Sequence, residues 1–383
     1  MHTEQAYAIV IVGGGLIGLC SAFHLRHAGR KVGVIQETQQ GQASLAAAGM
    51  LAPTCEWSPE MARTLLEFLQ QARACYHGFL PVLLACTPLV GETGYAERDF
   101  LLLDLVENAT ALDSRLQQTG AGVSWLSRPQ VCAREPSPNP EALRDAICVA
   151  GDAMINPRAL HHLLCACLVH HQIDLLDANL LSVQERGEDF LLTLDTSQTR
   201  LSPRVIIAAG AWSFEVAALF HLNVPVSPAR GQLIHLSGVP GLLQHILYMP
   251  AGACGCLLER APGRYIAGTS EEHLSAEVCN TSKVVAAILT RINHVFLPAG
   301  DFVIDEMWSG FRSITPDELP IIGVSPDPRI IVATGHYRNG VLLSPLTGLL
   351  IRSLLDGETL NICLDPYQYQ RAYPAPYRFA SAY

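Results

Sequence analysis

With 383 residues, 49% of them apolar and 16% charged, the chain is long enough for two domains and too apolar for an intrinsically disordered protein. Its formal net charge of −10, with no cluster of Lys and Arg, argues against nucleic acid or an anionic membrane surface as a partner. Twelve cysteines occur without a C-x-x-C, and fourteen histidines without an H-E-x-x-H or Cys/His chelate spacing, so reduced thiols and no metal site are expected.

The most apolar stretch, "AYAIVIVGGGLIGLCSAF", comes near the start. The "MHTEQ" before it has no Lys or Arg, and four glycines interrupt it, which favours a soluble, cytoplasmic chain over a signal peptide or membrane span. "YAIVIV" reads as a β-branched strand and "LCSAFHLRHAG" as a helix, with Leu19, Ala22 and Phe23 on one face and Gly29 to stop it. "KVGVI" is a second strand, and the strand–helix–strand unit covers residues 6–36. Gly13, Gly15 and Gly18 form G-x-G-x-x-G at its turn, with Leu16 and Ile17 counted in the same binding loop. These glycines suit a tight turn, backbone approach to a pyrophosphate and close helix–strand contact, and the helix N-terminus offers N–H groups to phosphate. An acidic side chain is then expected about 20 residues on, to accept from a ribose. Gln36 ends the second strand and Glu37 follows, so either the Gln36 amide oxygen or a shifted Glu37 would take that place, with Gln36 preferred.

Further along, "PEMARTLLEFLQQARACYHGFLPVLLA" is helical and "GYAERDFLLLDL" is β-like. "SRPQVCAREPSPNPEA" reads as a proline-rich surface connection. "NPRALHHLLCACLVHH" is an amphipathic helix with Leu160, Leu163, Leu164 and Leu168 inward. The hairpin "LLSVQERGEDFLLTLD" leads to "RVIIAAGAWS", a buried strand ending in small residues. From "PARGQLIHLSG" to "GRYIAGTS" the two-fold patterning predicts an antiparallel sheet, followed by the helix "SKVVAAILTRINHVFL" and the strand "FVIDEMWSGF". The polar run in "ATGHYRNGVLLSP" stands between apolar segments, with a helix expected to start near Pro345. The order predicts an α/β fold, in which a dinucleotide-binding domain of separated segments carries an inserted, mostly β domain.

"IVIVGGGLIG", "AAAGMLAP", "RVIIAAGAWS", "MWSGFRSITPDELPIIG" and "ATGHYRNGVLLSPLTG" stand in the order found in FAD-dependent amine and amino-acid oxidases. Over nearly its whole length the chain resembles the D-amino-acid oxidase superfamily, and within it the glycine oxidases of thiamine biosynthesis. The resemblance implies a Rossmann-like FAD-binding domain from residues 1–84, 150–214 and 304–383. Residues 85–149 and 215–303 would form a mostly antiparallel β substrate-binding domain with helices. It also implies a homo-oligomer that takes a small amino acid and O2, with a thiazole synthase as a possible receiver of the imine.

By the same resemblance, Ala47, Ala48, Gly49 and Met50 would line the flavin, and the backbone of Val183 would meet the adenine. Ala209, Gly210 and Trp212 in "AAGAWS", and His336, Arg338, Asn339, Gly340, Val341 and Leu342, would complete the FAD site. Arg312 matches the family's carboxylate-binding arginine, whose planar fork pairs both oxygens as lysine cannot. Its alternative is a salt bridge to Asp305, Asp317 or Glu318. Arg338, Tyr248 and Met50 would join Arg312 around the substrate. Hydride would pass from Cα to flavin N5, giving an imine that hydrolyses to 2-oxo acid and ammonia, while O2 is reduced to H2O2. Cys256 stands where the family has a tyrosine over the substrate, and Tyr337 is either cavity wall or sheet packing. Sarcosine, other small N-alkyl glycines or small D-amino acids, a dehydrogenase, and a non-catalytic flavoprotein therefore stay open. "SGFRSITPDELPIIG" has no cysteine for a covalent flavin link, so the FAD is expected to be non-covalent.

Overall fold

The computed structural model describes residues 5–36, 41–55, 63–89, 91–103, 122–135, 137–249, 254–273, 277–358 and 360–373. Glu37, one of the two residues expected near a ribose, lies outside them.

The fully buried strand Ile9–Val12 is the centre of a six-stranded sheet. Its β-branched side chains have apolar layers on both faces, as parallel sheets require. The order across the sheet is Asp174–Asp177, Val32–Gln36, Ile9–Val12, Val205–Ile207, Ile330–Thr334 and Ile321–Val324, with the last strand antiparallel. The helices Leu16–His27 and Gly340–Asp356 pack together on one face, over a core that includes Ile11, Leu19, Ile331 and Leu346. Helix Pro157–His170 buries Leu160, Leu163, Leu164 and Leu168 in that core, the face expected from their spacing.

The second body is an eight-stranded sheet. Its order is Val303–Ile314, Ser227–Ser237, Arg264–Gly268, Cys256–Ala261, Ile246–Tyr248, Phe100–Leu102, Ala146–Ala150 and Gly122–Leu126. All its pairings are antiparallel except that of Ile246–Tyr248 with Phe100–Leu102. Helix Ser282–Val295 covers one face with Ile288, Ile292 and Val295. Strand Val303–Ile314 pairs along its length with Ser227–Ser237, so residues from 304, grouped above with the cofactor domain, begin inside this sheet. Its first half is exposed at the sheet edge; its second half is buried, and Phe311 bridges to Gln42 beside the first sheet's glycine turn.

Two local expectations change. "RPQVCAR" is a helix, Arg128–Arg134, because Ser127 and Gln130 form a capping box and a proline sits in the first turn. The last helix starts at Gly340, five residues before Pro345. Pro345 cannot donate to the Val341 carbonyl. The buried Tyr76 hydroxyl donates to that carbonyl at 2.5 Å, and Ser344 Oγ at 2.9 Å, so the helix runs through the proline. No helix among the described residues is long and apolar enough to cross a membrane.

Candidate active site

A cleft of about 750 Å³ runs from the glycine turn of the first sheet to the inner face of the second. Its cofactor end is backbone-rich by necessity. Gly13 has φ +128°, and a Cβ there would lie 2.2 Å from the Ala208 carbonyl oxygen. A Cβ on Gly18 would lie 1.9 Å from the Gly13 carbonyl oxygen, so the helix can approach the turn only as glycine. Gly15 caps Leu16–His27 without any side-chain cap, and the Leu16 N–H donates to Ser44 Oγ at 2.9 Å. Such a cradle of close backbone at a helix N-terminus fits the pyrophosphate of a dinucleotide.

The cleft is lined by Gly13, Gly15, Ile17, Ala47, Ala48, Gly49, Met50, Ala209, Gly210, Trp212, Tyr248, Arg312, His336, Arg338, Asn339, Gly340 and Val341, all expected there. Leu16, Gly18 and Leu342 are buried just behind it. Val183 is not in the lining; the chain meets the cleft three to five residues earlier, at Leu180, Asn179 and Ala178. Val183 instead packs its side chain against the core on the far side of the central sheet. Gln36 also stands outside the lining. Its Nε2 donates to Asp177 Oδ1 at 2.7 Å across the adjacent strand, so a carboxylate does reach this spot, from a different strand.

The small-residue loop 46–49 is held from outside. Arg260 donates to the carbonyls of Ala47 and Ala48 at 3.1 and 2.7 Å, and Trp308 Nε1 to that of Ala46 at 3.0 Å. Burial lowers the Arg260 pKa to about 10, so it is still a cation at neutral pH. His336 is buried and its Nε2 lies 3.0 Å from Thr347 Oγ1. Burial lowers its pKa to about 3, which leaves a neutral ring that fixes the loop and no acid–base group. The uncapped first turn of Gly340–Asp356 faces the cleft with Gly340 and Val341, a partial positive charge suited to an electron-rich ring.

At the polar end, Arg312 donates to the Ser270 carbonyl at 3.0 Å, and its guanidinium lies over Gly231. Asp305 pairs with Arg264 and Asp317 with Arg371, so neither forms the salt bridge considered for Arg312 from the sequence. Tyr248 lines the cleft beside Cys256 on the paired strand; Cys256 is fully buried and outside the lining. Nothing in the sequence marked Glu271, which lines the same cleft. Its Oε1 accepts from Tyr337 Oη at 2.5 Å, and its Oε2 from Arg338 Nη2 and Nε at 2.9 and 3.3 Å. Tyr337 is thus cavity wall, at φ +48°. Glu271 follows strand Arg264–Gly268, and its partners lie in the turn after Ile330–Thr334, so only the fold brings them together.

Away from the cleft, Asp99, Cys148 and His245 bring possible metal-ligating atoms within 4.8 Å of one another. His245 Nδ1 is 2.8 Å from the buried Glu135 carboxylate, which also accepts from the Gln244 and His245 N–H groups. Hydrogen bonds to Cys148 and Glu135 raise the His245 pKa to about 9, so these partners hold the imidazole as a cation at neutral pH. A histidine raised in the folded state stabilises fully below its unfolded pKa near 6.5, and that contribution disappears as pH rises through 9. The wild-type advantage over His245→Gln is therefore expected to be on the order of 2 kcal/mol at pH 6 and to shrink towards zero by pH 10. Urea midpoints at the two pH values check this; an advantage independent of pH would refute it.

A family model described as "DAO: FAD dependent oxidoreductase" matches residues 8–354. The "Bifunctional protein ThiO/ThiG" of Nostoc sp. is 32% identical over 373 residues, covering 95% of this chain and 55% of that relative. The chain thus spans about half the length of the curated relatives it matches first. The "Glycine oxidase" of Geobacillus kaustophilus is 29% identical over 380 residues, covering 95% of this chain and 97% of the relative. The crystal structure of glycine oxidase from that organism superposes with a TM-score of 0.89 at 27% identity, covering 97% of this chain and 100% of that one.

Proposed function

Because the chain belongs to the DAO family of FAD-dependent oxidoreductases, we propose that it oxidises glycine, or an amino acid of similar size, at the α-carbon. The observation that carries this reading is Arg312, held over Gly231 at the polar end of a cleft whose other end is the glycine turn. FAD, when bound, supplies the acceptor for the hydride removed from the amine.

The protein's part is to hold and orient. The first-turn backbone of Leu16–His27 and Gly13 to Gly15 would take the pyrophosphate, and Ala178 to Leu180 the adenosine end, with Gln36 and Asp177 as the polar pair nearby. Residues 46–49, Met50 and the first turn of Gly340–Asp356 would enclose the ring system without a covalent bond. Arg312 would pair the substrate carboxylate, turning Cα towards the ring, while Tyr248 and Met50 close the apolar side. No side chain need accept the Cα hydrogen, so the neutral His336 has no proton to move. The division into segments 1–84, 150–214 and 304–383 for cofactor, with 85–149 and 215–303 for substrate, remains our reading. Strand Val303–Ile314 joins the two.

The product imine would hydrolyse to the 2-oxo acid, with O2 reduced to H2O2. The ThiO/ThiG relatives are nearly twice as long as the part this chain matches, which supports a second activity beside this one in those proteins. We extend that to a separate thiazole-forming partner here, in thiamine biosynthesis. All twelve cysteines are free thiols, which supports a reducing, cytoplasmic setting. Exposed Val303, Ile304 and Met307 on an edge strand support self-association.

The test is an anaerobic titration of the yellow holoprotein with glycine. Bleaching, followed by rapid recolouring and stoichiometric H2O2 on admitting air, is expected. Slow recolouring would point to a dehydrogenase, and no bleaching by glycine, sarcosine or small D-amino acids would remove the catalytic reading.

A further inference from the structure

We propose that Asp99, Cys148 and His245 form a binding site for a divalent metal ion of borderline softness, with Zn²⁺ the expected one, on the eight-stranded sheet and apart from the cleft. The inference does not depend on the oxidase reading.

Three neighbouring strands supply the ligands: Ile246–Tyr248, Phe100–Leu102 and Ala146–Ala150. Leu247 stands opposite Leu101, and Leu101 opposite Cys148, and all three belong to the core under helix Ser282–Val295. Asp99 and His245 come two residues before Leu101 and Leu247, so strand alternation carries them to the same face as Cys148. One atom from each of the three lies within 4.8 Å of the other two. Ligands at positions 99, 148 and 245 match no chelate spacing, so only the folded sheet reveals the cluster.

Nitrogen, sulfur and oxygen donors together suit Zn²⁺, whereas Mg²⁺ and Ca²⁺ take oxygen. Glu135 is the orienting carboxylate that commonly accompanies a metal-bound histidine. It closes helix Arg128–Arg134, is buried, accepts from the His245 N–H at 2.9 Å and engages Nδ1 at 2.8 Å, which leaves Nε2 for the ion. Arg98 Nη1 ties down the same loop through the Leu243 and Gln244 carbonyls, each at 3.3 Å. Asp99 is exposed, which gives the ion a way in and leaves a fourth position for water. Without metal, the His245 imidazolium fills the place beside the Cys148 thiol, so the His245→Gln urea midpoints are compared in chelator. Metal entry sends the Nε2 proton and the thiol proton to solvent. The Cys148 thiolate and the Asp99 carboxylate then balance both positive charges of the ion, while Glu135 keeps its hold on Nδ1–H.

The test takes the FAD-loaded protein, strips it with chelator, and titrates it with Zn²⁺ or Co²⁺ alone at about pH 8. One ion per chain is expected, with a Kd of about 1 μM or tighter and a raised melting temperature. Co²⁺ should add a sulfur-to-metal charge-transfer band and ligand-field bands to the red of the flavin absorption. Cys148→Ala should remove the charge-transfer band and weaken Zn²⁺ about 100-fold, and Asp99→Asn, at an exposed position, should weaken it about tenfold. Flavin content and the melting temperature in chelator establish that both variants are folded. If the buried Cys148→Ala change prevents folding, Asp99→Asn and the cobalt bands of wild type decide. Failure to bind one ion per chain, or a cobalt spectrum without the sulfur band, would overturn the proposal. So would undiminished affinity in either folded variant, which would place the ion on other groups of the chain.

Discussion

Arg312→Lys is expected to raise the KM for glycine about 100-fold, with kcat changed far less and flavin content unchanged. The guanidinium lies against Gly231, where even a Cβ would come within 2.7 Å of Nη1, and it is anchored on the Ser270 carbonyl. That fixes a planar fork facing the cleft. Lysine keeps the charge but offers one ammonium on a flexible stem, with neither the flat face for Gly231 nor two parallel N–H groups for a carboxylate. Losing one charge-assisted hydrogen bond and its alignment costs about 2–3 kcal/mol, which is the predicted ratio. Because the carboxylate is held equally in the bound substrate and at the chemical step, the loss belongs in KM. An unchanged KM would place the carboxylate elsewhere.

Gly13→Ala should yield protein that retains little or no FAD and melts well below wild type. Two costs coincide there: φ +128° is a conformation that L side chains rarely adopt, and the new Cβ would sit 2.2 Å from the Ala208 oxygen and 2.5 Å from its carbon. Backbone is the obstacle, so no rotamer change relieves it. Relief requires Ile9–Val12 and Val205–Ile207 to part at their C-terminal ends, where the cofactor end of the cleft lies. A loss of more than about 3 kcal/mol is expected. Gly78→Ala is the control: that glycine is inside helix Arg63–Cys86 with open space around it, so alanine should be neutral or stabilising by up to about 1 kcal/mol. Flavin-to-protein absorbance ratios and melting curves on both variants decide the matter. A Gly13→Ala protein with full flavin would show that the turn does not carry the cofactor.

What could be read in advance was what local backbone chemistry dictates. The strand, the glycine turn and the helix through His27 follow from neighbours a few residues apart, and so does the inward face of Pro157–His170. Gln36 shows the limit. Its place at the end of its strand was legible, but Asp177, the partner of its amide, comes from another strand of the parallel sheet. Glu271 is the sharper case, because a glutamate beside a second glutamate looks like solvated surface until Tyr337 and Arg338 are folded against it. Pro345 misled for a related reason. A proline is favoured in the first turn of a helix, and only tertiary structure supplies Tyr76 to satisfy the carbonyl it strands. The family resemblance placed the Val183 backbone at the adenine, whereas the residues that line the cleft there are Ala178, Asn179 and Leu180, at the start of that strand.

The strand order of the six-stranded sheet has a consequence for biosynthesis. Ile9–Val12 leaves the ribosome before the other strands of its sheet, yet one of its two neighbours is Val205–Ile207, whose own outer neighbour is Ile330–Thr334. The nascent chain must therefore keep an apolar strand waiting while most of the eight-stranded sheet is translated. A translation product stopped before residue 330 would present Val205–Ile207 as a raw edge, a template for aggregation and a target for chaperones and proteases. Acquisition of the yellow colour would then mark chains whose synthesis has run through the last strand.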